Sequence, residues 1–443
     1  MAPRTIITES AALAARRDAA VAWLMGRINY ERVAVVPYNE RQLKLDRMRQ
    51  LLTRLGSPDA GQKIIHVAGT KGKGSTAAMI ASVLTAAGLK SGVYSSPHLE
   101  RIEERWSIDG VPASGEDLVG LVNRMKPAVL AMDDAGAESD ALGPPTFFEI
   151  TTAMALVHFA DQQCDAVVLE VGLGGRLDST NVCLPAVSVI TSISYDHTRQ
   201  LGETLAEIAR EKAGIIKPGV PVVSGVRDAE PRAVIRSVAR ERGCRLIENH
   251  PDEANGWETG LRGGHQRANA AVALGVIAEL RGQGWAVSDE ACREGLRGAR
   301  LPARVELFKA IPGVRPAVVV DSAHNGASAR ALVESLPGLV GQRGATLVCA
   351  ISRDKKVEQI VAALAPRFTR AIATSYLENP RAVSPRRLAG LLRDAGCGDV
   401  AAVDDPNEAL QAAFDSTPGD GLIAITGSFF LAAELRPLVV ASD

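Results

Sequence analysis

Residues 64–75 restrict what this chain can fold into more than any other stretch. An apolar run, 64–68, passes without a spacer into Gly69-Thr70-Lys71-Gly72-Lys73-Gly74-Ser75. The segment beyond places Ile80, Val83, Leu84 and Ala87 on one helical face and stops at Gly88. Strand, glycine bend and helix in that order form a cradle for phosphate. Gly69, Gly72 and Gly74 let the backbone N–H groups of the loop, Thr70 included, approach phosphate oxygens, and the helix N-terminus adds partial positive charge. Lys73 can reach the outer phosphates and Ser75 can ligate Mg²⁺. The spacing is not the common GxxxxGK[ST], because Gly74 separates Lys73 from Ser75; a plain tight turn is the competing reading.

Short apolar runs alternate with helix-period segments along the rest of the chain, which predicts an α/β fold with mostly parallel sheets. The candidate strands are 64–68, 92–95, 166–171 and 187–192, and a second series after Leu301 comprises 317–320, 346–350, 371–374 and 422–425. At 443 residues the chain exceeds what one hydrophobic core usually serves, so two domains are expected, 1–299 and a smaller 300–443. Residues 131–145, without periodicity and ending in Pro-Pro, read as a surface loop. The region before Leu43, with Tyr30 and Tyr38, carries no pattern that assigns it.

Three charged or titratable residues fall where a ligand is expected. Glu170 interrupts the C-terminal end of an apolar strand and leads into Gly172-Leu173-Gly174-Gly175. In a doubly wound sheet that end faces the ligand, and a carboxylate there suits Mg²⁺ on the β- and γ-phosphates. A solvated strand-end acid would read the same way. These glycines are a weak dinucleotide signal, since Leu177 stands where a third Gly is needed. After the next strand, the neutral imidazole of His197 is a possible second metal ligand or simply structural. Thr204-Leu205-Ala206-Glu207 is a capping box, and in the helix it opens Leu205, Ile208, Ala209 and Lys212 share the inward face. Lys212 there either finds a partner or snorkels to water.

A formal net charge of −1 without a basic run gives no footprint for nucleic acid. No apolar stretch reaches membrane-spanning length and the N-terminus lacks a secretory core, so neither membrane association nor export is expected and the chain reads as cytoplasmic. The six cysteines lie far apart without a CxxC pair, several in apolar runs, and read as buried thiols. A monomer is expected.

Several segments together resemble the folylpolyglutamate synthase and dihydrofolate synthase family of the Mur ligase superfamily. Ile65-His66-Val67-Ala68-Gly69-Thr70-Lys71-Gly72-Lys73-Gly74-Ser75 resembles IHVAGTNGKGS, Ser95-Ser96-Pro97-His98-Leu99 resembles TSPHL, and Pro145-Thr146-Phe147-Phe148-Glu149 resembles PTxFE. The stretch from Glu170 to Asn181 differs from EVGLGGRLDATN at one position, and Asp196-His197, Leu201-Gly202 and Glu211-Lys212-Ala213-Gly214-Ile215 resemble DH…LG…EKAGI. Later, His265-Gln266-Arg267-Ala268-Asn269 resembles HQxxNA, Arg304-Val305-Glu306 resembles part of GRLE, Asp321-Ser322-Ala323-His324-Asn325 resembles DGAHN, and Thr426-Gly427-Ser428 resembles a late GS motif. The departures are Lys71 for Asn, Ala303 and Val305 within GRLE, Ser322 for Gly, and Lys356 for an Asp of a DKD-type loop.

The resemblance implies an ATP-binding Mur ligase-like domain followed by a glutamate ligase domain, joining L-glutamate to dihydropteroate or a reduced folate. It implies two Mg²⁺ ions held by Ser75, Ser96, Glu170 and His197, and a carbamylated Lys212. It also implies adenine contact by Asn269, phosphate contact by Arg304, ribose contact by Asp321, a substrate-side and catalytic role for His324, and a place for Ser428 near the incoming glutamate. A cell-wall Mur ligase taking a UDP-sugar substrate is the rival within the superfamily. A nucleotide-binding regulator without catalysis is the rival outside it, with loss of Lys73, Glu170 or His197 as its signature; all three are present.

Overall fold

The computed structural model describes residues 10–31, 38, 39, 43, 45–138, 142–336, 345–377 and 379–441. The chain packs as two compact units, Met1–Glu258 with Ala268–Ala299, and Thr259–Arg267 with Arg300–Asp443. Each is built around its own sheet.

The first sheet contains β1 (Ile64–Ala68), β2 (Ser91–Tyr94), β3 (Trp106–Ile108), β4 (Val111–Pro112), β5 (Ala166–Glu170), β6 (Val187–Ile190), β7 (Val222–Ser224) and β8 (Leu246–Glu248). Its order is β4-β3-β2-β5-β1-β6-β7-β8, parallel from β2 through β8, with β3 and β4 antiparallel at one edge. The central strands β1 and β5 are buried along their whole length, the pattern of strands covered on both faces, which is why they read as continuous apolar runs. The chain leaves β1 toward β2 on one side and returns through β5 to β6 on the other. The order therefore reverses at β1, and a crevice is expected outside its carboxyl end.

The second sheet contains β9 (Glu306–Phe308), β10 (Ala317–Val320), β11 (Ala345–Cys349), β12 (Arg370–Ala373), β13 (Asp399–Ala402) and β14 (Leu422–Thr426), in the order β13-β12-β11-β14-β10-β9. Only β9 is antiparallel. All eight strands anticipated from the sequence are present, 64–68 and 317–320 as read and the others with ends displaced by one or two residues. Five of the six others run two or three residues, too short to show a periodicity of their own, and the four-residue β13 is mostly exposed.

The helix after the glycine bend, Lys73–Ala86, differs from the expected one-faced helix. Ser75, Thr76, Ala77, Met79, Ile80, Ala81, Val83 and Leu84 are all buried, because helix Asp289–Gly298 covers the side away from the sheet. The two helices touch at backbone distance: a Cβ on Gly295 would run into the Cα of Val83, and the Ser82 hydroxyl donates to the Gly295 carbonyl at 2.7 Å.

Two other expectations are corrected. Helix Gly115–Glu138 continues well into the segment read as a loop, carried by Met125, Val129 and Met132, which recur at helical spacing and are buried. Residues 139–141 lie outside the described residues. The unassigned N-terminal region contains helix Ala11–Met25, capped by Ser10; its alanines favour helix but supply few apolar groups, so only Ala20 and Leu24 are buried and no stripe appears. No helix among the described residues is long and apolar enough to cross a membrane. All six cysteines are free; Cys183, Cys292, Cys349 and Cys397 are buried as expected, whereas Cys164 and Cys244 are only partly buried.

The helix contact gives a paired test. Gly295→Ala should destabilise the protein by about 2–3 kcal/mol through overpacking. Gly120→Ala, in helix Gly115–Glu138 with open space around it, should be neutral or stabilising by about 0.5–1 kcal/mol. Urea unfolding of both variants checks the contrast.

Candidate active site

The phosphate loop is held from below by the segment that follows β6. The Thr70 N–H donates to the Ser192 carbonyl at 2.7 Å, and the Thr70 hydroxyl both accepts from the Ser194 N–H (3.1 Å) and donates to its carbonyl (3.2 Å). The Lys71 carbonyl accepts from the Thr191 and Ser192 hydroxyls at 2.7 and 3.0 Å. This fastening is what the sequence reading missed; its signal was the run of hydroxyls Thr191, Ser192 and Ser194 directly after an apolar strand.

The Thr70 and Lys71 N–H groups are thereby taken up by Ser192, so the Thr70 N–H expected to approach phosphate serves the fastening instead; the loop then turns into its helix through Gly72, whose backbone is left-handed at φ +82°. Only glycine fits there: besides the dihedral, a Cβ would strike Oδ1 of Asn269, so this buried asparagine lies directly against the bend. Gly69 is buried at the end of β1, and Thr70, Lys73 and Gly74 are half-buried. Lys73 is the first residue of the helix and Ser75 is buried in its first turn, whose N–H groups have no partner within the helix.

The metal candidates lie along the same carboxyl edge, on four neighbouring strands. Glu170 is the last residue of β5 and pairs in register with Val67 of β1, two residues before Gly69. It is 6% exposed, so it is not the solvated loop acid of the bland reading. Ser96 follows β2, which flanks β5, and is half-buried. His197 follows β6 in a left-handed conformation (φ +49°, ψ +39°), its N–H donating to Asp196 Oδ1 at 3.0 Å and its ring exposed. Among the described residues no three His, Cys, Asp or Glu side chains gather as a cage. Two hydroxyls, one carboxylate and one imidazole placed along this edge are donor types that a divalent cation can take together with phosphate oxygens and water.

Lys212 is resolved by burial. The Thr204–Glu207 capping box forms as expected and opens helix Leu205–Ala213, which places the Lys212 side chain inside at 5% exposure, without snorkelling. Burial, and then the Lys73 ammonium, hold its pKa down to about 7, with Asp196 and Asp178 pulling the other way. The helix does not stop at Gly214 by a left-handed turn, since that residue is right-handed; glycine is needed because a Cβ would collide with the Arg176 backbone. Glu211 joins the two sides of this corner, accepting the Tyr38 hydroxyl at 2.8 Å and the Arg176 guanidinium at 3.1 Å. Tyr38 thus brings part of the unassigned N-terminal region to the Glu170–Gly175 turn.

In the second unit, Arg304, Asp321 and His324 form one connected group. The Arg304 guanidinium donates to the Ser322 hydroxyl, buried Asp321 accepts the N–H groups of Val305 and Ala323 at 2.8 Å each, and His324 Nδ1 pairs with the Ser322 carbonyl at 2.9 Å. Burial pushes the Asp321 carboxyl up, and Arg304 counters it. Ala303 and Val305, the two departures from GRLE, both have left-handed backbone (φ +53° and +47°), which costs about 1–2 kcal/mol per non-glycine residue. The turn persists because carboxylates grip it on both sides: Asp321 holds Val305, and Glu306, clamped by Arg436, takes the Ala303 N–H at 2.9 Å. Ser428 is buried after β14 and accepts the Phe430 N–H at 3.1 Å.

Known proteins resemble this chain in sequence and in fold. Residues 303–429 match the Mur ligase glutamate ligase domain and residues 135–246 the Mur ligase middle domain. The dihydrofolate synthase/folylpolyglutamate synthase of Bacillus subtilis is 36% identical over 439 residues, covering 94% of this chain and 97% of the relative. The chain belongs to the folylpolyglutamate synthase/dihydrofolate synthase family. Its fold agrees: Mycobacterium tuberculosis folylpolyglutamate synthase complexed with ADP superposes with a TM-score of 0.84 at 30% identity, over 96% of this chain and 99% of that one. Escherichia coli FolC in complex with DHPP and ADP gives 0.78 at 30% identity, over 95% and 98%.

The buried lysine generates a pH prediction. In bicarbonate-free buffer the folded chain loses the Lys212 proton near pH 7, while the unfolded chain keeps it to about pH 10. Between those values the unfolded state binds the extra proton, so stability rises with pH; below pH 7 both states are protonated and this contribution is flat. Urea unfolding from pH 6 to 10 should show the rise, and Lys212→Met should remove it while gaining on the order of 3 kcal/mol at pH 6.

Proposed function

We propose that this chain joins the carboxylate of a pteroate or folate to the amine of L-glutamate at the expense of ATP. The observation that carries the reading is the glycine bend fastened at the carboxyl end of β1, with Glu170 in register beside it on β5. The substrate carboxylate attacks the γ-phosphorus of ATP and releases ADP, leaving an acyl phosphate. The glutamate amine then attacks the acyl carbon, phosphate departs, and an amide remains. Phosphorylation is needed because a bare carboxylate has no adequate leaving group.

Within this reading Gly69, Gly72 and Gly74 present backbone to the phosphates, Thr70 holds the loop in place through Ser192 and Ser194 instead of donating its N–H to phosphate, and Lys73 spreads the charge of the transferred group and keeps it in line. Asn269, fixed against Gly72, is assigned to the adenine. Ser75, Ser96, Glu170 and His197 would hold the Mg²⁺ ions, whose chemistry is to neutralise phosphate charge as it develops. In the second unit Arg304 and Asp321 are assigned to the nucleotide, and His324 and Ser428 to the substrate side. Lys212 is assigned as a carbamate. A neutral amine adds CO₂, forming an N–C bond and releasing a proton, and the lowered pKa supplies that neutral amine near pH 7. The product is an anion, which the neighbouring Lys73 ammonium attracts where it repels a protonated amine.

Purified protein given ATP, Mg²⁺ and labelled glutamate, with dihydropteroate and tetrahydrofolate offered separately, should yield ADP and a mass-resolved amide only when an acceptor is present. Lys73→Ala should lower kcat roughly 10²–10³-fold with an unchanged circular dichroism spectrum; near wild-type turnover would remove Lys73 from the mechanism. For Lys212, ¹³C-bicarbonate should give a protein-bound carbamate resonance that disappears in Lys212→Gln.

A further inference from the structure

A second line of residues, behind the phosphate edge and shielded from solvent, runs from β1 to the turn after Glu170. His66 is completely buried in β1; its Nε2 lies 2.7 Å from the Thr180 hydroxyl and its Nδ1 3.6 Å from Cys183 Sγ. The Thr180 hydroxyl donates to Asp178 Oδ1, which also accepts the Thr180 N–H at 3.0 Å. Asp178 Oδ2 accepts the N–H groups of Gly172 and Leu173, each at 3.0 Å. All of these side chains are buried.

The directions of these bonds follow from counting protons. Asp178 faces four donors, two from Thr180 and one each from Gly172 and Leu173, and accepts in all four bonds; burial pushes its carboxyl up, and these bonds counter the push. The one Thr180 hydroxyl proton is directed to Asp178, so His66 Nε2 donates to Thr180. His66 is then the Nε2–H tautomer, with Nδ1 left to accept from the Cys183 thiol, and burial keeps its ring neutral. Every donor along Cys183, His66 and Thr180 points toward Asp178, an arrangement in which each bond polarises the next.

We propose that His66, Thr180 and Asp178 are positioning residues that fix the turn behind Glu170 and so set its reach toward the divalent cation. The proposal rests on the reading that Glu170 is a cation ligand. Backbone bonds flank Glu170 closely. The Val171 N–H is held by the Val67 carbonyl at 2.9 Å, and the next two N–H groups are held by Asp178. His66 immediately precedes Val67, so one buried chain ties the strand that enters the phosphate loop to the turn that carries the carboxylate. Hydrogen-bonded partners behind a metal ligand commonly change metal affinity about 10–100-fold when removed.

The test reads binding. A fluorescent ATP analogue is titrated with Mg²⁺ on wild type, Thr180→Val, Thr180→Ser and Glu170→Gln, with circular dichroism and thermal melts on each. Thr180→Val, which keeps the shape and removes the hydroxyl, should raise half-saturating Mg²⁺ about tenfold and leave Mg²⁺-free nucleotide binding within about twofold; Thr180→Ser should restore the wild-type value. A folded Thr180→Val with lowered melting temperature and unchanged Mg²⁺ dependence would reduce the chain of bonds to a structural role and overturn the proposal. Glu170→Gln separates the two failures. If it leaves Mg²⁺ dependence unchanged, the ligand reading itself falls; if it raises the half-saturating value while Thr180→Val does not, only the positioning role falls. Should Thr180→Val not fold, His66→Gln, which keeps a donor near Nε2, is compared with His66→Leu under the same criteria.

Discussion

The fastening of the glycine bend to the segment after β6 is the constraint on which the first unit depends. A helix N-terminus attracts anions only if its first turn faces an open crevice, and a loop of small residues has no rigidity of its own. Here Thr191, Ser192 and Ser194 take up hydrogen-bonding groups of Thr70 and Lys71, and Asn269 backs Gly72. The strand order supplies the crevice, because the chain departs from β1 in opposite directions before and after β5.

Charge placement follows from that geometry. Lys73 is at the start of a buried helix, and Lys212 is close enough for the two ammonium groups to disfavour one another, with Asp178 and Asp196 opposing them. Burial makes a protonated Lys212 costly in the first place, the Lys73 ammonium adds to that cost, and together they depress its pKa. Asp178 serves twice, as a counter-charge and as the anchor of the turn after Glu170, which explains why a buried carboxylate with four hydrogen bonds is retained there.

The second unit fixes its polar group with strain rather than with glycine. Ala303 and Val305 occupy left-handed backbone that a β-branched side chain resists, and the Asp321 and Glu306 carboxylates keep them there. Arg304, between the two, is thereby presented on a turn that has little freedom to relax.

What the sequence by itself determined is the set of features written in local pattern. The eight strands read from the sequence are mostly apolar segments bounded by glycine or polar residues, the phosphate loop is a strand, bend and helix in contiguous order, and the Thr204–Glu207 box caps its helix through bonds three residues apart. Family membership was legible for the same reason, since its motifs are contiguous. Tertiary structure alone decided the rest. Glycine at 214 and 295 answers to the Arg176 and Val83 backbones, and burial of Met132 carries helix Gly115–Glu138 into a segment that the sequence reads as a loop. Lys212 is buried instead of snorkelling, and Tyr38 reaches Glu211 from 173 residues away. Periodicity records how a residue relates to its neighbours along the chain, whereas burial, close approach and pKa depend on which distant elements the fold brings against it.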